Sequence, residues 1–285
     1  MSRVFRWRVP VWQADVDAFG EVRSSVLLRL LQETATRAST DAGFDPLFYE
    51  RAGTMWLVRR TALELLAPAR YGDEIEAVTW IADFRRVRSR REYEVHCGTR
   101  LIARAHTDWV YVDRLQSRPR RVPDEMQRVF VPDGAAPLDR PQFPDTRPPG
   151  WAWASERRIE LHEIDALRHV NNSNYVHYVE QAAVDAAAAV GWSLADQLAV
   201  GGRFRAVAHD LEYLEAALYG EVLSVMTWPD ALTADAIERR TWIRRGSAPR
   251  PVLRATSRYA WVDTDTGDTR TMPEALRAAL APPHC

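Results

Sequence analysis

Asp165-Ala166-Leu167-Arg168-His169-Val170-Asn171-Asn172-Ser173-Asn174-Tyr175 is a polar turn that runs into the small apolar stretch Ala182-Ala183-Val184-Asp185-Ala186-Ala187-Ala188-Ala189-Val190, which stops at Gly191. This pattern predicts a helix from about Asn174 to Val190, begun by side chains that can satisfy backbone N–H groups and ended by a glycine. Its middle is too small and too apolar for an exposed helix, so a sheet is expected to pack closely on it.

Four segments rich in β-formers follow, Phe204–Leu214, Val222–Trp228, Ala236–Arg244 and Leu253–Val262, separated by short turns. Strands joined this tightly are antiparallel, because parallel neighbours need long crossovers. The same order occurs upstream. A helix beginning near Ser24 or Ser25 and stopping near Gly43 precedes Trp56–Leu65, Glu74–Phe84, Arg90–Cys97 and Leu101–Val112. The match extends to residues at a constant shift. Leu63-Glu64-Leu65-Leu66, Tyr71-Gly72 and Thr79-Trp80 recur 148 positions later as Leu211-Glu212-Tyr213-Leu214, Tyr219-Gly220 and Thr227-Trp228. Asp17 and Asp165 share that shift, and Val112-Asp113 returns as Val262-Asp263 at 150. An ordered series of this kind indicates internal duplication. Between the copies, residues 132–150 include six prolines, too many for a helix or sheet, and form an extended linker. The fold class expected is α+β, one buried helix wrapped by an antiparallel sheet, twice over.

Composition removes several functions. The 285 residues carry a net charge of −1, without the basic excess that nucleic acid or an anionic membrane would favour. All 38 basic residues are arginine, so Schiff-base chemistry and a lysine-bearing phosphate loop are excluded. Two cysteines, Cys97 and Cys285, make neither a disulfide framework nor a structural zinc site. Cys97, in a strand, is expected to be a buried thiol. No apolar run reaches the roughly 20 residues of a membrane span, and the first residues lack a signal-peptide core, so a soluble, cytoplasmic protein is expected. His162-Glu163 begins like a zinc-protease motif, but Ala166 stands where the second histidine belongs, and no metal is expected.

The chemistry-bearing residues lie in the turn before the second helix. Helix N-termini carry unpaired N–H groups and partial positive charge, which polarise a carbonyl and stabilise an oxyanion. Asp165 can serve there as a general base on water or attack directly; His169 can orient, donate or shuttle a proton. Asn171 and Asn172 are supporting candidates, with helix capping as their plainer role. The first copy keeps Asp17 but has Glu21 in place of the histidine, so it supports rather than catalyses, and Asp17 is expected to serve as a turn residue. Two arginine clusters, Arg85, Arg86, Arg88, Arg90 and Arg91, and Arg239, Arg240, Arg244 and Arg245, are candidates for phosphate or acidic-surface contacts, or ordinary solvated positions.

Asp-x-x-x-His-Val-Asn-Asn-x-x-Tyr before a buried helix resembles the hot-dog-fold thioesterases, and the tandem layout resembles the acyl-ACP thioesterases more narrowly. Leu31-Gln32-Glu33-Thr34-Ala35, Trp56-Leu57-Val58-Arg59-Arg60, Gly72-Asp73 with Thr79-Trp80, and Leu211-Glu212-Tyr213 match further elements in order. The resemblance implies two tandem hot-dog domains, 1–131 and 151–285, packed as an intramolecular pseudo-dimer. The first shapes the acyl pocket, and the second hydrolyses an acyl thioester through Asp165 and His169. It implies no cofactor, and acyl carrier protein or a coenzyme A thioester as partner; a homodimer is compatible with it. Two departures stand out. Leu167 replaces the family's asparagine, and its further Glu-Cys pair falls on Ala216 and Ala217, with Glu215 one place earlier as a third candidate. Acyl-CoA hydrolysis and a non-catalytic acyl-binding module are the alternatives.

Overall fold

The computed structural model describes residues 2–134 and 138–282; the second thiol, Cys285, and linker residues 135–137 lie outside them. The chain forms two compact units, Met1–Phe143 and Pro144–Cys285. The first contains β1 (Val4–Pro10), α1 (Ser24–Asp41), α2 (Pro46–Ala52), β2 (Thr54–Leu65), β3 (Glu74–Arg85), β4 (Arg88–Cys97), β5 (Arg100–Asp113) and α3 (Asp124–Phe130). The second contains β6 (Trp153–Arg158), α4 (Asn174–Ala189), α5 (Leu194–Ala199), β7 (Gly202–Tyr213), β8 (Val222–Leu232), β9 (Ala236–Arg245), β10 (Leu253–Asp263) and α6 (Glu274–Leu280). Within the units the antiparallel strands run in the orders β1-β3-β4-β5-β2 and β6-β8-β9-β10-β7, so the duplication read from the sequence is a duplication of topology.

In each unit the long helix packs on the sheet, α1 against β1 and β3, α4 against β6, β7 and β8. Leu27, Leu28, Leu31, Ala35 and Ala38 bury the inner face of α1; Val176, Val179, Ala182 and Ala186 do the same for α4. Both helices stop where expected, at Gly43 and Gly191, whose positive φ angles of 91° and 85° are left-handed conformations that glycine adopts without a Cβ clash. Both also start where expected, at Ser24 and Asn174, but the capping role expected of Ser24 or Ser25 is not found. Ser24 and Ser25 are the first two helical residues and are buried, and the capping position is Arg23, which makes no side-chain cap bond. The leading strands β1 and β6 were not anticipated, being short edge segments that carry arginines at alternate or adjacent positions. Cys97, expected to be buried, is only half-covered because β4 ends there beside the exposed turn at Gly98.

One glycine in the second core has no room for a side chain. A Cβ on Gly202 would lie 2.3 Å from Trp261 Cζ2, and Trp261 is fully buried among Ile237, Tyr259, Met272 and Leu276. Gly202→Ala is therefore expected to cost about 1–3 kcal/mol through overpacking. Urea unfolding measures it, and an unchanged midpoint would show that the indole can swing aside.

Candidate active site

The turn before each helix is built the same way. In the first unit Asp17 Oδ1 accepts from the backbone N–H groups of Phe19 (2.8 Å) and Glu21 (3.0 Å), while Gly20 N–H donates to Asp17 O (3.1 Å). In the second unit Asp165 Oδ1 accepts from Leu167 N–H (2.8 Å), and Arg168 N–H donates to Asp165 O (2.9 Å). Asp17 is thus the turn residue that the sequence suggested. Asp165 performs the same turn-closing task, a role that the turn alone explains. Gly20 has φ +73°; its counterpart Arg168 has φ +64°, a left-handed conformation that costs a non-glycine residue about 1 kcal/mol or more. The second unit thus keeps strain that the first avoids, next to His169.

That histidine separates the two turns. Its Nδ1 lies 3.4 Å from the Val170 carbonyl oxygen and 3.8 Å from Asp165 Oδ1. With two acceptors beside Nδ1, the ring proton is favoured there, which leaves Nε2 as the nitrogen with a free lone pair. The Asp165 and His169 side chains are 22% and 20% exposed, so both are accessible at one side and supported at the other. Asn171 Nδ2 donates to Asp165 Oδ2 at 3.4 Å, which orients the carboxylate.

The asparagines also do the plainer work. Asn171 Oδ1 accepts from Ser173 N–H (3.0 Å) and Ser173 Oγ–H (2.7 Å), and Asn174 Nδ2 donates to Glu163 O (2.9 Å). The backbone oxygen of Asn172 accepts from Tyr213 Oη (3.2 Å). The N–H groups of Asn171, Ser173 and Asn174 are bound to Glu163 O, Asn171 Oδ1 and Asn171 O. These three are unavailable to an oxyanion, which narrows the expected donor set at the helix start.

Beneath the turn lies Glu163, a residue the sequence reading passed over once zinc was set aside. It is buried, its carboxylate accepts from Glu160 N–H (2.8 Å) and pairs with Arg157, and Arg157 stacks 4.2 Å over the Tyr178 ring. Burial by itself raises the Glu163 carboxyl, but the Glu160 N–H and Arg157 outweigh it and hold the group below its ordinary range. Glu163 thus stays ionised and anchors the turn.

The family departures have definite places. Leu167 is exposed and contributes its N–H to the turn. Ala217 is fully buried and its carbonyl holds Val170 N–H (2.9 Å), as Ala69 holds Val22 in the first unit (2.9 Å). Glu215 is bound to Arg245 Nη1 at 2.7 Å and makes no hydrogen bond to Asp165 or His169 among the described residues. The arginine clusters are split: Arg85, Arg86 and Arg88 are exposed, whereas most of the others are buried or paired. Arg90, Arg91 and Arg239 are buried, Arg240 pairs with Asp230, and Arg245 pairs with Glu215 and Glu221. Alternation along a strand sends every second residue inward, which a local count of charges does not register.

Comparison with known proteins bears on the family and the fold. The family model for the acyl-ACP thioesterase N-terminal domain matches residues 2–130, and the thioesterase-like superfamily model matches residues 159–280. The chain is 24% identical over 191 residues to the chloroplastic acyl-(acyl-carrier-protein) hydrolase FATB2 of Cuphea viscosissima, covering 62% of this chain and 46% of that one. It spans about half the length of the curated relatives it matches. Its fold is shared with the 12:0-ACP thioesterase from Umbellularia californica (TM-score 0.73, 19% identity, 90% and 94% of the two chains). The acyl-ACP thioesterase from Bacteroides thetaiotaomicron is similar too (TM-score 0.68, 16% identity, 90% and 97%). With a thioesterase model on each half, in the family's order and on its fold, the chain belongs to the tandem hot-dog acyl-ACP thioesterase family.

Proposed function

We propose that this protein hydrolyses fatty acyl-ACP: acyl thioester and water give the free fatty acid and the carrier thiol. The observation that carries the reading is the pairing of Asp165 with His169 in one strained, partly open turn at the start of α4, absent from the otherwise matching turn at Asp17. Asp165, oriented by Asn171, takes a proton from water as the oxygen attacks the thioester carbonyl. His169 presents Nε2 to the substrate and polarises or positions it. Remaining N–H groups at the positive end of α4 support the oxyanion, and the thiolate leaves and is protonated. A thioester carbonyl is activated enough for these groups to suffice.

The family and the names of its relatives support acyl carrier protein as the carrier. Thiol release from octanoyl, dodecanoyl and hexadecanoyl chains, each offered on acyl carrier protein and on coenzyme A, tests it. The ACP-bound series is expected to give a kcat/KM at least tenfold higher. Faster cleavage of the CoA series would make this an acyl-CoA thioesterase, and tight binding without thiol release from either would make it an acyl-binding module.

A further inference from the structure

Matching surfaces of the two duplicated units carry opposite charge. Residues 1–131 hold 22 arginines against 18 acidic residues, and residues 151–285 hold 14 against 18. The difference concentrates in the turn that follows the last strand of each sheet. Both turns are held by the same bond: Arg114 N–H donates to Gly53 O (3.0 Å) just past α2, and Thr264 N–H donates to Gly201 O (3.2 Å) just past α5. Residues 113–121 include four arginines and one aspartate, whereas 263–271 include three aspartates and one arginine. Asp265 stands at the position of Leu115, and Asp268 at that of Arg118, 150 residues on.

On the first unit this turn belongs to a basic face. Arg114 and Arg118 are exposed, and β4 starts beside them: Tyr111 N–H donates to Val87 O and Val122 N–H to Arg86 O, which brings in exposed Arg86 and Arg88. None of these four guanidinium groups has an ion pair among the described residues. Leu115, between Arg114 and Arg118, is 95% exposed and has nothing in its own unit to pack on. On the second unit the same place is acidic and apolar. Asp265 and Asp268 are exposed and have no ion pair among the described residues. Leu194 and Leu198, one turn apart on α5, and Val200 beside Gly201 are all exposed. Arg270 is bound to Asp263 Oδ2 (3.1 Å) and Gly201 O (2.9 Å). Even with Arg205, which reaches the turn at Gly267, the acidic excess remains, and exposed Asp196 on α5 adds to it. Single surface ion pairs contribute little, so a contact here draws on several charges together with the burial of aliphatic side chains.

We propose that these two faces bind each other in separate copies of this chain. The basic turn of one copy's first unit meets the acidic turn and α5 of a second copy's second unit, and Leu115 packs among Leu194, Leu198 and Val200. Because the two faces are built on the same turn and helix, the contact is a pseudo-twofold version of the self-complementary interface of a symmetric dimer, with opposite charges facing instead of like ones. Each chain has one face of each kind, so copies join head to tail, into a closed ring or a filament. Sedimentation velocity of the full chain tests this in about 0.05 M and 0.5 M salt, between which the screening length falls about threefold. Concentrations up to about 0.3 mM cover the range in which weak, transient contacts form. Wild type is expected to sediment as species of at least twice the chain's mass at low salt and as single chains at high salt. Arg114→Glu with Arg118→Glu is expected to abolish association, and so is Asp265→Arg with Asp268→Arg; these side chains make no hydrogen bond or ion pair within their own unit among the described residues, so folding is unaffected. An equimolar mixture of the two double variants is expected to associate again, since each offers the charge that the other needs. Leu115→Ser is expected to weaken wild-type association at least threefold. A wild type that stays monomeric at low salt, charge reversals without effect, or a mixture that fails to associate would each overturn the proposal. A monomeric wild type that binds acyl carrier protein at least tenfold more tightly than its Arg114→Glu, Arg118→Glu variant would overturn it too, and assign the basic face to the carrier. No substrate is present in the sedimentation experiment, so its outcome is independent of the hydrolase assignment.

Discussion

Asp165→Asn is expected to lower the turnover number for acyl thioester cleavage by about two to four orders of magnitude, the usual contribution of a positioned general base, with the protein still folded. Asparagine keeps the Oδ1 acceptor that closes the turn on Leu167 N–H, so the local backbone has no reason to change. What it loses is the basic oxygen, and in its place stands an amide facing the Asn171 Nδ2 donor. The duplication provides a matched control. Asp17→Asn alters the same turn, with the same kind of bonds to Phe19 and Glu21, in the unit without the histidine. Both variants should shift the melting temperature by similarly small amounts, and Asp17→Asn should retain turnover within about twofold of wild type. If the two variants lose activity alike, Asp165 is a turn residue and the chemistry lies elsewhere.

The features legible in the sequence were those set by local rules. Helix stops at glycine, period-two strands and the turn aspartate need only neighbouring residues to be recognised, the 148-residue shift needs only the order of residues along the chain, and each has its counterpart in the structure. Asp165 and His169 were legible for the same reason, lying four residues apart in one turn. Glu180, His209 and Ser257 were not. They come from a helix and two strands, separated by 29 and 48 residues, and only the register of β7 with β10 brings the histidine and serine together. Arg90 illustrates a different limit. It alternates with Arg91 and so read as part of a solvated charge cluster, yet both are buried, on opposite faces of β4. Arg91 points into the core. Arg90 lies on the outer face, where Asp83, Arg90, Asp108 and Arg60 are neighbours in register across β3, β4, β5 and β2. Part of the proline-rich linker covers that row: Leu138 N–H and Arg140 bind Asp83, and Arg60 bonds Pro141 O and stacks on Phe143. An extended segment with few donors of its own gives no local sign of where it will lie.

Asp108→Ala is expected to be the most destabilising substitution in that row, at about 3–5 kcal/mol, because it strands a buried cation. Asp108 accepts two hydrogen bonds from Arg90, at 2.8 and 2.7 Å, and lies 3.6 Å from Arg140 Nε. Arg140 retains Asp83, but Arg90, only 9% exposed at its side chain, loses its bidentate partner. Replacing both members, Asp108→Leu with Arg90→Met, should recover most of the loss, since an apolar pair of similar volume removes both the charge and its desolvation cost. The pH dependence identifies the cause. Burial alone raises the Asp108 carboxyl, but the Arg90 hydrogen bonds and the charges of Arg90 and Arg140 outweigh it and hold its pKa below the ordinary value. A carboxyl lowered in the folded state contributes stability that is fully present above the unfolded value of about 3.9 and is lost as pH falls through the folded value. Urea unfolding should therefore give the same Asp108→Ala penalty at pH 7 and pH 5, and a smaller one below about pH 4. A penalty that persists unchanged into acid would mean that the aspartate acts by filling space beneath the linker rather than by its charge.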